Sequence, residues 1–254
     1  MMSKVSAVKK YYEDTQRYLS RRSFDIKVRA ETVQSFVEKG KFARILDIGC
    51  GDGTISLQLL SKETSLTLLD ISERMLWIAR SRIPPEFSDN VEVVNDNLMN
   101  AQLETRPFDL IICIGVLAHT DSPTEFVARM VSLLKPGGTL ILEFTDSFHF
   151  MGRFFRVVFA VWGLVRPIDW TLNFLSRGQV LKILGKHHLT TRAIYRYSLP
   201  LPGMHRFFSQ ATLYKLVRLV FGTPDHNRNA WMGNEYIVML DKLAAQDSSS
   251  IPLK

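Results

Sequence analysis

Two cysteines in 254 residues leave little scope for covalent cross-linking. Cys50 and Cys113 sit in separate apolar segments without ligand-like spacing, which argues against a disulfide framework and against a bound metal. The most apolar stretch, Phe154–Val165, is broken by Arg156 and followed by Arg166, so it is too short to span a bilayer. The opening Met-Met-Ser-Lys continues polar, so no secretory signal is expected and the expected compartment is the cytoplasm. Acids are scarce between Met151 and Ala230. There 12 Lys or Arg face two acids, Asp169 and Asp225, giving +10; the net charge of +7 then leaves −3 for the rest of the chain. Such a cationic region suits an anionic small molecule, an anionic membrane surface or nucleic acid.

What is present is an alternation of short apolar runs and helical patterns, without internal repeats. Residues 5–38 read as helices, with Val28, Val33, Phe36 and Val37 at helical spacing. Strands are expected at Arg44–Ile48, Leu66–Leu69, Val91–Val94, Phe108–Val116 and Thr139–Phe144. Helices are expected at Thr54–Ser61, at Ser72–Ile83 with Ser72 as cap, and from the Ser122-Pro-Thr-Glu125 capping box to Leu134. Apolar strands separated by helices imply a parallel sheet covered on both faces. Beyond Asp146 the pattern loosens. Phe148–Leu175 is aromatic, basic and helical in character. Ser176–Gln179 opens a helix to about Lys186, Thr190–Ser198 alternates as a strand, Phe207–Val220 is a helix and Glu235–Asp241 a last strand. Phe148–Leu175 and Leu199–Ala230 therefore read as insertions at the sheet's end.

The segment richest in chemistry is Ile45-Leu-Asp-Ile-Gly-Cys-Gly-Asp-Gly53. Glycines 49, 51 and 53 permit a tight turn at the end of the first strand and close approach of a ligand to the backbone. A dinucleotide fingerprint would need glycine at position 54, where Thr54 stands. Asp47 and Asp52 beside the turn disfavour a pyrophosphate and suit a cationic, phosphate-free ligand. Asp70 ends the second strand, where a carboxylate can accept from two ribose hydroxyls. Asp96 and Asn97 end the third, where acid and amide could meet an adenine.

These segments resemble the class I S-adenosylmethionine-dependent methyltransferases, and more narrowly the type 11 group that includes quinone O-methyltransferases. The resemblance covers residues 45–145: the glycine segment, Leu69-Asp-Ile71, Asp96, Phe108–His119, and Leu133-Leu-Lys-Pro-Gly-Gly-Thr139. It implies an α/β fold: a doubly wound, seven-stranded, mostly parallel sheet whose last strand is antiparallel, with helical insertions near the C-terminal strands. It implies S-adenosyl-L-methionine as cofactor, held by Tyr11, Asp47, Gly49, Cys50, Gly51, Asp70, Ile71, Met75, Asp96, Asn97, Ile114 and Gly115, with the helix bearing Tyr11 and Tyr12 folding over it. Ala118 stands where the family often has Glu before His119, so that Glu's role is absent.

Methyl transfer to a hydroxyl needs alignment and a base for the proton. His119, past the fourth strand, and His149, past the fifth, are the candidate bases; His187 and His188 read as helix-end residues. The 12 aromatics from Phe154 to Phe221 are either cap core or an apolar substrate face. The expected organisation is a helical lid over 1–40, a cofactor-binding core over 41–146, completion of the sheet with substrate-side insertions over 147–243, and a disordered tail over 244–254. The expected function is O-methylation of a small-molecule biosynthetic intermediate, apolar with an anionic group, with peripheral contact to the inner face of a membrane as a further option. The competing readings are a nucleic-acid methyltransferase and a non-catalytic cofactor-binding scaffold. Ile114-Gly-Val-Leu117 lacks the Asn/Asp-Pro-Pro-Tyr box of base-methylating enzymes, which weighs against the first. The intact glycine and acidic motifs weigh against the second.

Overall fold

The structure, a computed structural model, describes residues 15–103, 107–165, 173–200 and 204–244. Helix α1 spans Thr15–Val37, strand β1 Arg44–Ile48, β2 Ser65–Asp70, α2 Glu73–Arg82, β3 Val91–Asn95, β4 Phe108–Cys113, α3 Pro123–Leu133 and β5 Leu134–Thr145. The C-terminal part adds α4 (Phe150–Val165), α5 (Arg177–Leu184), β6 (Leu189–Tyr197), α6 (Gln210–Phe221) and β7 (Glu235–Lys242).

The strands form one seven-stranded sheet in the order β3-β2-β1-β4-β5-β7-β6. Pairings from β3 through β5 are parallel, and β7 runs antiparallel to both β5 and β6. Alternation along β4 shows how both faces are filled. Ile111 and Cys113 pack with Phe126, Val127 and Met130 of α3 and Val180 of α5. Leu110, Ile112 and Ile114 join the opposite cluster, with Val28 and Val33 of α1, Leu76 of α2 and Leu213 and Val217 of α6. The inner strands β1, β2, β4, β5 and β7 are buried on both sides, which is why their sequences are largely apolar, while the edge strands β3 and β6 are partly exposed.

Local chemistry sets most boundaries. The Ser72 hydroxyl accepts from Met75 N and starts α2; Ser122 accepts from Glu125 N, with Pro123 next, and starts α3. Ser176 and Gln179 form a complete reciprocal capping box for α5.

Two expected elements differ. Thr54–Ser61 is a series of turns with a short 3-10 helix at Leu57–Leu59. Gly53 sits at φ +76°, and eight residues containing Thr, Ile and two Ser do not offset the cost of helix nucleation. The fourth strand stops at Cys113 because Gly115, at φ +73°, turns the chain into a 3-10 turn at Leu117–His119. In β5, Leu134 already pairs with Phe108, and the register breaks across the Lys135–Gly138 turn before Thr139 pairs with Leu110.

Residues 148–165 leave the C-terminal end of β5, and residues 173–175 lie beside it again. Ser147 N donates to Leu175 O at 2.9 Å, and Asn173 N donates to Ala118 O at 2.8 Å. A β-carbon on Gly152 would collide with the Asp146 carbonyl oxygen and stand 2.9 Å from Ser147 Cα. Gly→Ala within a helix ordinarily stabilises by about 0.5–1 kcal/mol. Here the overlap should win, and Gly152→Ala should destabilise by roughly 1–3 kcal/mol. Chemical denaturation measures it; an unchanged or raised midpoint would show that α4 is not seated on this turn.

Candidate active site

In this strand order the chain runs one way from β1 to β3 and the other way from β4 outward. The crevice lies beyond the carboxyl ends of β1 and β4, where connections diverge. The loops after β1, β2, β3 and β4 converge there, and they carry most of the expected site residues.

The glycine turn is built on the end of β2. Gly49 N and Cys50 N both donate to Leu69 O, at 2.8 and 3.2 Å. Gly49 and Gly51 hold φ of +69° and +55°. A β-carbon on Gly49 would strike the Val116 side chain, whereas at Gly51 it would meet nothing within 4 Å. Gly49 therefore closes the turn against the β4 loop, while Gly51 leaves its backbone open to a ligand. Asp70 joins this turn to the next helix. Its Oδ2 accepts from Gly51 N at 2.9 Å and its Oδ1 from Ser72 N at 2.8 Å. Burial pushes its carboxyl upward, and the N–H groups of Ser72, Gly51 and Ile71 pull it back in part.

The other acids divide. Asp47 is buried, and its Oδ2 has no hydrogen-bond partner among the described residues. Burial pushes its carboxyl from 3.8 to about 7; the Ser56 hydroxyl opposes that shift, and the charges of Asp70 and Asp52 reinforce it. Asp52 was expected to face a cationic ligand. It is instead paired with Arg82, which also donates to Thr54 Oγ1 at 2.9 Å. Asp96 accepts from Asn97 N and Asn97 from Met99 N, so both side chains shape the turn after β3. Asn95, which sequence reasoning passed over as a contact, donates from Nδ2 to Asp70 O at 3.0 Å and ties the ends of β2 and β3 together.

The remaining residues follow from these loops. Met75 is 1% exposed under α2, a packing position. The Cys50 thiol is pushed up by burial and by Asp47. Ile114 is buried beside Gly115. Tyr11 and Tyr12 lie outside the described residues. His119 ends the 3-10 turn four residues past Gly115, half-buried at the crevice. His149 lies 2.8 Å by Nε2 from the Trp231 carbonyl. A carbonyl only accepts, so Nε2 carries the proton, and Nδ1 then faces Met151 N at 3.4 Å. His149 is thus engaged by Nε2 with the Trp231 carbonyl and by Nδ1 with the start of α4.

Sequence reasoning missed Arg29. It lies on α1, bonded through Nε to Glu143 Oε1 at 2.9 Å and paired through Nη1 with Asp25 at 3.1 Å. Both Nη atoms lie 3.7 Å from where a β-carbon on Gly115 would be. The signal was legible: Asp25, Val28, Arg29, Thr32 and Val33 share one helical face, so two charges sit on a buried stripe. Burial also raises Glu143, and raises Glu235 to about 7.

Residues 45–138 match a protein family described as a methyltransferase domain. The mitochondrial ubiquinone biosynthesis O-methyltransferase of Schizosaccharomyces pombe is 30% identical over 129 residues, covering 49% of this chain and 46% of that protein. The ubiquinone biosynthesis O-methyltransferase of Xylella fastidiosa is 32% identical over 106 residues, 40% of this chain and 41% of that one. The matched chain thus spans about half the length of these curated relatives, or less. Among solved structures, a Thermotoga maritima S-adenosylmethionine-dependent methyltransferase, described as a possible histamine N-methyltransferase, superposes with TM-score 0.66 at 17% identity over 94% of this chain and 99% of that one. The Synechocystis magnesium protoporphyrin IX methyltransferase with bound S-adenosylhomocysteine gives TM-score 0.66 at 16% identity, covering 94% of this chain and all of that one. The chain has the class I methyltransferase fold, and its sequence resembles the quinone O-methyltransferases within that class.

Asp47 supplies a check on the site's electrostatics. Its carboxyl is raised in the folded state, so between 3.8 and about 7 the folded chain holds a proton that the unfolded chain has released. Stability of the ligand-free protein should therefore fall as pH rises through that window and level off above it, by at most about 4 kcal/mol from this group. Asp47→Asn should flatten the fall. Thermal unfolding from pH 5 to 8 reads it, and an equally steep fall in the variant would remove Asp47 as the cause.

Proposed function

We propose that this protein is an S-adenosylmethionine-dependent methyltransferase acting on a hydroxyl of a small, largely apolar acceptor. The observation that carries the reading is the Asp70 carboxylate, fixed by Gly51 and Ser72 at the switch point of the sheet. Its two oxygens accept from backbone N–H groups and keep lone-pair capacity for a diol, as a ribose requires. Gly51 leaves room for a ligand against its backbone, and the orphaned Asp47 Oδ2 awaits a donor or a cation. Arg29 beside Gly115 suits an amino-acid carboxylate. Asp96 and Asn97 are the residues assigned to the adenine, and Ile71 to the ribose. The bound cofactor supplies a methyl group on a sulfonium leaving group. The chain's own task is to align an acceptor oxygen and remove its proton. His119, half-buried past the fourth strand, is the residue assigned to take that proton. The ubiquinone O-methyltransferase relatives support oxygen as the acceptor atom.

S-adenosylmethionine and its demethylated product should bind in the micromolar range, and nicotinamide dinucleotides should not. Asp70→Ala should weaken cofactor binding by about 1.5–3 kcal/mol, the scale of hydrogen bonds to a charged group. Calorimetry with both ligand classes decides. Preference for a dinucleotide, or an unaffected Asp70 variant, would overturn the cofactor reading.

Residues 148–165 and 173–175 form the acceptor-side cover. The first start at the end of β5, and Asn173 is bonded to Ala118, next to His119. On α4, Phe150, Phe154 and Val157 are exposed at helical spacing, with Arg153 among them, and Phe148 and Trp231 extend the patch. No helix among the described residues is long and apolar enough to cross a membrane. An apolar stripe flanked by basic residues instead suits an anionic bilayer surface from which a lipid-soluble acceptor is taken. In flotation at low salt the protein should rise with anionic vesicles and not with neutral ones. Arg153→Gln with Arg156→Gln should reduce both flotation and turnover while cofactor affinity holds. Equal behaviour of variant and parent would reduce this charge to a solvated face.

A further inference from the structure

Charge is out of balance beneath Gly115. Among the described residues, the buried carboxylates of Asp25, Glu143 and Glu235 gather around one guanidinium, that of Arg29. The Tyr197 hydroxyl lies 2.9 Å from Asp25 Oδ1 and 3.1 Å from Glu143 Oε1. Thr145 Oγ1 donates to Glu235 at 2.7 Å.

Glu143 is unevenly used. Its Oε1 takes both Arg29 Nε and the Tyr197 hydroxyl, while Oε2 is buried with no hydrogen-bond partner among the described residues. The residue is 3% exposed, so water does not solvate that oxygen freely. An orphaned carboxylate oxygen in such a place costs free energy until something donates to it. Oε2 lies 3.7 Å from the point a Gly115 β-carbon would occupy, the same distance as Arg29 Nη1 and Nη2. A carboxylate oxygen and a guanidinium therefore both lie close to one spot beside Gly115. Opposite charges close to one spot suit a zwitterion.

We propose that Glu143 is the binding residue for the α-ammonium of the cofactor's amino-acid end, with Arg29 facing the α-carboxylate across Gly115. This rests on the cofactor reading above. An ammonium supplies the donor that Oε2 lacks and places a positive charge beside a buried carboxylate. The cluster thereby reads the amino acid part of the ligand, independently of ribose or adenine. It also ties α1 to the ligand, because Asp25 and Arg29 lie on that helix.

Calorimetry on the full chain tests this, with S-adenosylhomocysteine and its analogue lacking the α-amino group as the two probes. The parent protein should prefer the amine-bearing probe by about tenfold or more. Glu143→Gln keeps the shape and removes the charge, and it should erase most of that preference while binding the deaminated probe nearly as before. Tyr197→Phe disturbs the same cluster without touching Oε2 and should retain the preference, which separates binding from general packing. Should Glu143→Gln not fold, Glu143→Asp, which withdraws the carboxylate, should lower the ratio in the same direction. A ratio unchanged in the Glu143 variants overturns the proposal while leaving the cofactor reading intact. Failure of the parent to bind either probe overturns both.

Discussion

Two backbone N–H groups, from Gly51 and Ser72, converge on the carboxylate of Asp70. That convergence depends on the sheet bringing β1 and β2 side by side, with Ile48 paired to Leu69, so that the two loops leave in register. The carboxylate then fixes the glycine turn relative to the start of α2, and Asn95 adds the end of β3. Remove this join and the ends of three strands are held only by their ladders. The crevice is a consequence of that junction together with the reversal of strand order between β1 and β4.

A second set of constraints reaches across the opposite side of the crevice. Arg29 and Glu143 lie 114 residues apart and meet under Gly115. A buried ion pair adds little net stability, because desolvation offsets attraction, but breaking one partner costs about 3–5 kcal/mol. The pair therefore serves placement more than stability: it sets α1 against the ends of β4 and β5. Arg82 and Asp52 do the same for the glycine turn and α2.

The basic, aromatic C-terminal half divides between core and surface. Tyr195 and Tyr197 are fully buried and stack at 5.7 Å, and Phe221 packs in the α6 layer. Phe150, Phe154, Phe207 and Trp231 are exposed. The composition alone could not apportion them, because β6 alternates faces while α4 leaves one stripe without a covering layer in the described chain.

The sequence by itself determined the alternation of strands and helices, the glycine turn, Asp70 at the end of β2 and the serine caps of α2, α3 and α5. These are local: period, turn chemistry and capping act within a few residues of one another. It also held the cue for Arg29, since two charges on the Val28–Val33 face demand buried partners. It did not determine who those partners are. Only the tertiary structure decided that Asp52 is taken by Arg82, that His149 is spent on the Trp231 carbonyl, that residues 54–61 turn instead of coiling, and that one oxygen of Glu143 is left unpaired beside Gly115. Each depends on groups far apart in the chain, and their positions follow from sheet order and packing, which no local pattern encodes.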